Sequence, residues 1–212
     1  MKKIIVIDFE TTGFNPKTDQ IIEIAALKIE NKNTTKYSSL VKSDINLSKK
    51  IIEITGINDE MLKKNGIDQK KAAKELFDFI GHEAILVGYN VMFDMGFLDV
   101  FFKKNIDMNF SFNYDVIDVL TIYRDHHKYP HKLSDAVSHF EISHKNTHRA
   151  LDDVIATYDV LKALKKSNEN ILEKYKNIIG FNPKYGYRGI RPDNIKFLPQ
   201  IGGMKLIEKK TS

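Results

Sequence analysis

Residues 4–7, Ile-Ile-Val-Ile, run directly into Asp8-Phe9-Glu10. Consecutive apolar, mostly β-branched residues read as a buried strand. Side chains two apart on a strand point the same way, so Asp8 and Glu10 face together at its end. Two acids so placed repel each other unless a cation sits between them. The chain must therefore fold so that a buried strand delivers both carboxylates to one polar site, a metal site still short of its other ligands.

The rest of the chain reads as alternating strands and helices. After the first strand (3–8), residues 20–30 alternate imperfectly and 34–41 are β-branched and polar, which suggests a meander. The intervening Thr-Thr-Gly-Phe-Asn-Pro carries the Gly and Pro of a tight connection. Residues 67–80 have a helical period, with Ala72, Ala73, Leu76, Phe77 and Ile80 on one side. A short buried strand at 84–87 precedes a helix that Asn90 is placed to cap, running through Phe93, Phe97, Leu98 and Phe101. A strand at 114–117 leads into a helix through Leu120 and Tyr123. Further helices follow at 133–140 and 150–165. A meander followed by βαβ alternation predicts an α/β fold with a mixed sheet covered by helices. The one boundary in composition lies at 167–170. It divides a domain at 1–166 from a basic C-terminal extension at 167–212.

Composition narrows the function classes. With 212 residues, 42% hydrophobic and 29% charged, the chain suits one α/β domain with a substantial core. It has no cysteine, so disulfides, thiol catalysis and cysteine zinc sites are excluded. Lys2 and Lys3 precede too short an apolar run for a secretory signal, and no stretch approaches a membrane span of ~20 residues. A cytoplasmic protein without membrane contact is expected. The net charge of +5 is uneven: residues 162–212 hold 12 Lys/Arg against 4 Asp/Glu, and residues 1–161 hold 21 against 24. A basic end of that kind suits a polyanion.

Two more motifs supply candidate ligands. Asn90 and Asp94 share a face near a helix start. Asp153 lies in the first turns of the 150–165 helix. His148, five positions earlier, would be about 140° away from it around an unbroken helix. His148 is therefore expected on the preceding loop, as a base able to admit substrate, while Asp153 is a rigidly held ligand. Asp152 rivals Asp153 and His144 rivals His148, but the His-Arg-Ala-Leu-Asp-Asp register favours Asp153 and His148. His126, His127 and His131 read as a solvated loop. Asp115 and Asp118 read as caps of the helix that follows them.

Together the motifs resemble the histidine-containing branch of the DEDD 3′–5′ exonucleases, whose best-known member is the proofreading epsilon subunit of bacterial DNA polymerase III. The Asp-x-Glu-Thr-Thr-Gly string is matched by Asp8, Glu10, Thr11, Thr12 and Gly13. The Asn three residues before Phe-Asp is matched by Asn90, Phe93 and Asp94. The His and Asp five apart, with Ala between, are matched by His148, Ala150 and Asp153. The resemblance covers about residues 1–165. It implies a ribonuclease H-like sheet and removal of nucleotides from single-stranded 3′ ends, DNA rather than RNA, with a polymerase subunit as a candidate partner.

Chemistry points the same way. Two divalent cations about 3.5–4 Å apart clamp the attacking and leaving oxygens of a phosphodiester, and an all-oxygen ligand set selects Mg²⁺ or Mn²⁺. Asp8 would bridge the two ions, with Glu10, Asp153 and Asp94 completing them and His148 taking the proton of the attacking water. Thr11 and Thr12 are expected at the terminal nucleotide, Phe14 and Phe93 against its base, and Asn90 in the same cleft. An exoribonuclease, or a binding module of the same fold without turnover, are the alternatives; the latter would be expected to have lost one of the five key residues.

Overall fold

The computed structural model describes residues 3–31, 33–143, 149–185 and 189–211. A five-stranded sheet in the order β3-β2-β1-β4-β5 organises the chain. Its central strand β1 (Lys3–Thr11) is longer than the 3–8 expected and includes both acids. β2 (Ile21–Glu30) and β3 (Asn33–Leu40) add antiparallel on one side, forming the expected meander. β4 (Ala84–Gly88) and β5 (Asp115–Asp118) add parallel on the other. The parallel strands β1, β4 and β5 thus end on the same side of the molecule.

Alternation along β1 decides which layer each residue meets. Ile5, Ile7 and Phe9 are buried against α3 (Gln69–Ile80) and α4 (Val91–Asn105). Val6 faces the opposite layer, built by α5 (Val119–His126), α6 (Leu133–His139) and α7 (Ala150–Ser167). The period of two therefore turns Asp8 and Glu10 toward α7, the helix that carries Asp153.

Residues 42–66 contain two elements without a strong apolar period, α1 (Lys49–Thr55) and α2 (Asp59–Asn65). Each is started by a side-chain cap, Ser48 Oγ accepting from Ile51 N–H and Asn58 Oδ1 from Met61 N–H. Ile22, Leu47, Ile57 and Leu62 form a small separate core there.

The basic C-terminal segment is packed against the rest. It contains α8 (Ile171–Tyr175), the parallel pair β6 (Ile178–Phe181) and β7 (Lys196–Pro199), and α9 (Glu208–Thr211). Ile171, Tyr175, Ile178 and Ile207 are buried in the same cluster as α7. Asn177 ties the segment to β5, its N–H donating to Val116 O and its side chain bonding Val116 N–H and Asp115. The fully buried Asp125 accepts from Tyr175 O–H at 2.6 Å, Ile207 N–H at 2.8 Å and Glu208 N–H at 3.2 Å. Among the described residues, no helix is long and apolar enough to cross a membrane.

Candidate active site

Three carboxylates converge where β1 ends against α7. Ligand oxygens of Asp8, Glu10 and Asp153 all lie within 4.8 Å of one another, and all three side chains are half-buried. Asp94 approaches from the α4 side. It is buried and its Oδ1 accepts from Phe9 N–H at 3.2 Å, which fixes the carboxylate next to Asp8.

The electrostatics follow from this crowding. Withdrawal from water pushes the Asp8 carboxyl well above its usual range, and Asp94, Glu10, Asp153 and Glu23 push it further. Glu10 is pushed up to about 8, by burial first and then by Glu23 and Asp153, with Arg149 opposing. Burial also raises Asp94. Oxygen donors only, clustered at ligand spacing and destabilised by mutual repulsion, are a fit for a hard divalent cation.

That arrangement sets a pH dependence with a definite sign. Glu10 has an ordinary value of 4.5 and a folded value of about 8, so the metal-free fold holds more protons than the unfolded chain between the two. The stability present below about pH 4.5 is therefore lost as pH rises through about 8. A divalent cation binds the ionised form and displaces those protons. Thermal melts in chelator should fall in midpoint from about pH 5 to about pH 8.5, and the fall should vanish with the cation present. A flat profile in chelator would contradict the crowding.

Sequence reasoning missed a fifth acid. Glu23 lies opposite Glu10 across the β1–β2 pair and is buried. Its carboxylate is neutralised by Arg149, whose Nη2 and Nε donate to Oε1 at 2.6 and 3.1 Å, while Ala150 N–H donates to Oε2 at 3.2 Å. The pair, 126 residues apart in sequence, fixes the start of α7 one turn before Asp153. Arg149→Ala leaves Glu23 buried without its cation. Because the Arg149 side chain is 44% exposed, the loss should be about 2–3 kcal/mol, below the full cost of opening a buried pair. A chain of this size then melts roughly 4–12 °C lower, and adding Glu23→Gln should recover part of the loss. An unchanged midpoint in the single variant would show that Glu23 is satisfied without Arg149.

Other expected residues fall around this centre. Thr11 Oγ1 donates to Gly13 O at 2.6 Å, and Thr12 Oγ1 donates to Asp19 while accepting from Gln20 N–H, so both hydroxyls serve their own loop. A Cβ at Gly13 would overlap the Asp19 carboxylate, which explains the glycine. Phe14 is 78% exposed at the loop tip, edge-on to Phe93 with centroids 6.4 Å apart. Phe93 in turn packs on Phe97 at 4.8 Å.

Asn90 starts α4 but makes no side-chain cap; it adopts φ 70°. The cap comes instead from Asp118, whose Oδ1 accepts from Asn90 and Val91 N–H at 2.9 and 3.1 Å. Asp118 also caps its own helix through Thr121, whereas Asp115 bonds Asn177. His126, His127 and His131 are half-buried and not a solvated loop: one ring nitrogen of each pairs with a backbone carbonyl, and His127 stacks on Tyr123 at 4.4 Å. His148 and its rival His144 lie outside the described residues.

Comparison with known proteins agrees with this geometry. The family model described as Exonuclease (RNase_T) matches residues 5–161. The chain is 37% identical over 177 residues to a DNA polymerase III PolC-type of Clostridium perfringens (strain 13 / Type A), covering 79% of this chain and 12% of that protein. It is 38% identical over 171 residues to the PolC-type polymerase of Bacillus subtilis (strain 168), covering 78% and 12%. The chain thus spans about an eighth of these curated relatives. In fold it is similar to E. coli Exonuclease I crystallised with a dT13 oligonucleotide, with TM-score 0.71, 20% identity, and coverage of 82% of this chain and 43% of that one. On the extent of the family match and the identity to the PolC-type relatives, the chain belongs to the exonuclease family.

Proposed function

We propose that the chain is a metal-dependent 3′–5′ exonuclease that hydrolyses the terminal phosphodiester of single-stranded DNA and releases nucleoside monophosphates. The observation that carries this reading is the convergence of Asp8, Glu10 and Asp153 to ligand spacing, with Asp94 fixed beside them by Phe9 N–H. The relatives named as DNA polymerase III, and a fold neighbour crystallised with dT13, favour DNA and a setting of proofreading or repair beside a polymerase. The catalytic parts are assigned to residues 1–166.

When bound, two Mg²⁺ or Mn²⁺ ions supply the charge that the attacking and leaving oxygens need. Asp8, Glu10, Asp153 and Asp94 would hold them. His148, next to the anchored Arg149, takes the proton of the attacking water; an imidazole with a pKa of about 6.5 suits that task near neutral pH. The exposed Phe14 ring, backed by Phe93, is assigned to the terminal base. Thr11, Thr12 and Asn90 are assigned to the same nucleotide, and a frayed or single-stranded end is expected to be preferred over a stacked pair.

The test is degradation of matched DNA and RNA single strands labelled at the 5′ end, with a circular single strand as control. Shortening from the 3′ end, mononucleotide products and preference for DNA are expected. Cleavage of the circle would overturn the exonuclease reading, and a preference for RNA would overturn the substrate.

A further inference from the structure

The C-terminal segment and the connection between α5 and α6 enclose a groove of about 360 Å³, within the range of ligand sites, about 300–1,000 Å³. Its chemistry is unlike that of an ordinary surface crevice. Tyr129 and Tyr185 both line it and are 83% and 75% exposed, large rings left in water. The lining also includes Arg124, Lys132, Asn182 and the buried Gln200. Lys184 stands over the Tyr185 ring at 5.9 Å. Among the described residues, no carboxylate lines the groove.

The floor is held in place. Gln200 is 1% exposed, its Nε2 donating to Thr121 O at 3.0 Å and its Oε1 accepting from Arg124 Nη1 at 3.4 Å. Met204 N–H donates to Arg124 O, which seats the wall after β7 against α5. The opposite wall is held by Tyr89, whose hydroxyl donates to His131 O at 2.9 Å or Lys132 O at 3.1 Å. Tyr89 immediately precedes Asn90 and the helix that carries Asp94. Tyr89 thus ties this wall to the end of β4, the strand that pairs with β1.

We infer that this groove is a single-strand-binding subsite, holding a nucleotide upstream of the one at the carboxylates, with its base on Tyr129 or Tyr185 and its phosphate on Arg124 and Lys132. Stacking on an aromatic ring tolerates any base, and cations between the rings follow the backbone. The inference rests on the exonuclease reading for the strand's direction, but not for binding itself. The lining residues Asn182, Tyr185, Gln200 and Gly202 lie beyond the segment matched by the family model. Tyr187 and Arg188, basic-aromatic residues of the same stretch, lie outside the described residues. The packed Ile207 and Asp125 contacts mean that point variants, and not truncation, are the proper probe.

In the full chain, the double variant Tyr129→Ala/Tyr185→Ala should keep its melting midpoint, since both rings are exposed. Its binding to a fluorescein-labelled oligothymidylate in chelator, read by anisotropy, should weaken about 10-fold or more, the scale of one lost base–aromatic stack. Tyr185→Phe should bind as the parent does. With metal, the double variant should hydrolyse a dinucleotide normally but lose kcat/KM on the long strand. Unchanged oligonucleotide affinity would overturn the subsite and leave the exonuclease reading standing. Equal losses on dinucleotide and long strand would also overturn it, by tracing the effect to the cleavage site. Weakened binding in a chain whose parent cleaves no strand would retain the subsite and refute the exonuclease.

Discussion

Substituting Asp8 by Ala is expected to take turnover to background and to abolish the rise in melting midpoint that divalent cations give the parent chain. Asp8 is the carboxylate nearest in chemistry to all the others: Asp94, Glu10, Asp153 and Glu23 each raise its pKa. Deleting it removes the ligand assigned to both cations, so the loss should exceed the roughly 10²–10³ typical of removing one transition-state hydrogen bond. The same crowding predicts an opposite effect on the metal-free fold. With one of the repelling acids gone, Asp8→Ala should melt higher than the parent in chelator near pH 8. Activity and metal-free stability should therefore move in opposite directions. A variant that still turns over, or whose metal-free midpoint drops, would remove Asp8 from the centre of the site.

His148→Ala should slow hydrolysis by roughly 10²–10⁴, the worth of a general base, and leave the cation-induced rise in melting midpoint intact. In sequence His148 directly precedes Arg149, which Glu23 clamps at the start of α7. The separation of the two readouts distinguishes a base from a ligand. His144→Ala is the control: a larger loss from it than from His148→Ala would mean that the third motif is set in the wrong register.

The placement of the candidate acids was legible because strand and helix periods are local. Asp8 and Glu10 share a face through the period of two, and Ile5, Ile7 and Phe9 take the other. Asp153 needs only the first turns of one long helix. What was not legible depends on partners distant in sequence. Nothing near Glu23 announces Arg149, and nothing near Asn90 announces that Asp118 will cap α4 from 28 residues away. The apolar residues of the C-terminal segment are sparse, yet Tyr175 and Ile207 are pinned by the buried Asp125. The histidines at 126 and 127 read as solvated because much of their cover is distant in sequence, Tyr175 against His126 and His139 and Phe140 against His127. Helices α1 and α2 are about two turns each, and their caps were a stronger sign than their apolar pattern.

Anomalous scattering from a crystal of the unaltered chain grown with Mn²⁺ and a nucleoside monophosphate would test the central assignment most directly. Two peaks are expected, both against the Asp8 carboxylate, one closed by Glu10 and Asp153 and the other lying toward Asp94 and the phosphate. Peaks confined to other carboxylates, or none at this cluster at a concentration that supports turnover, would contradict it.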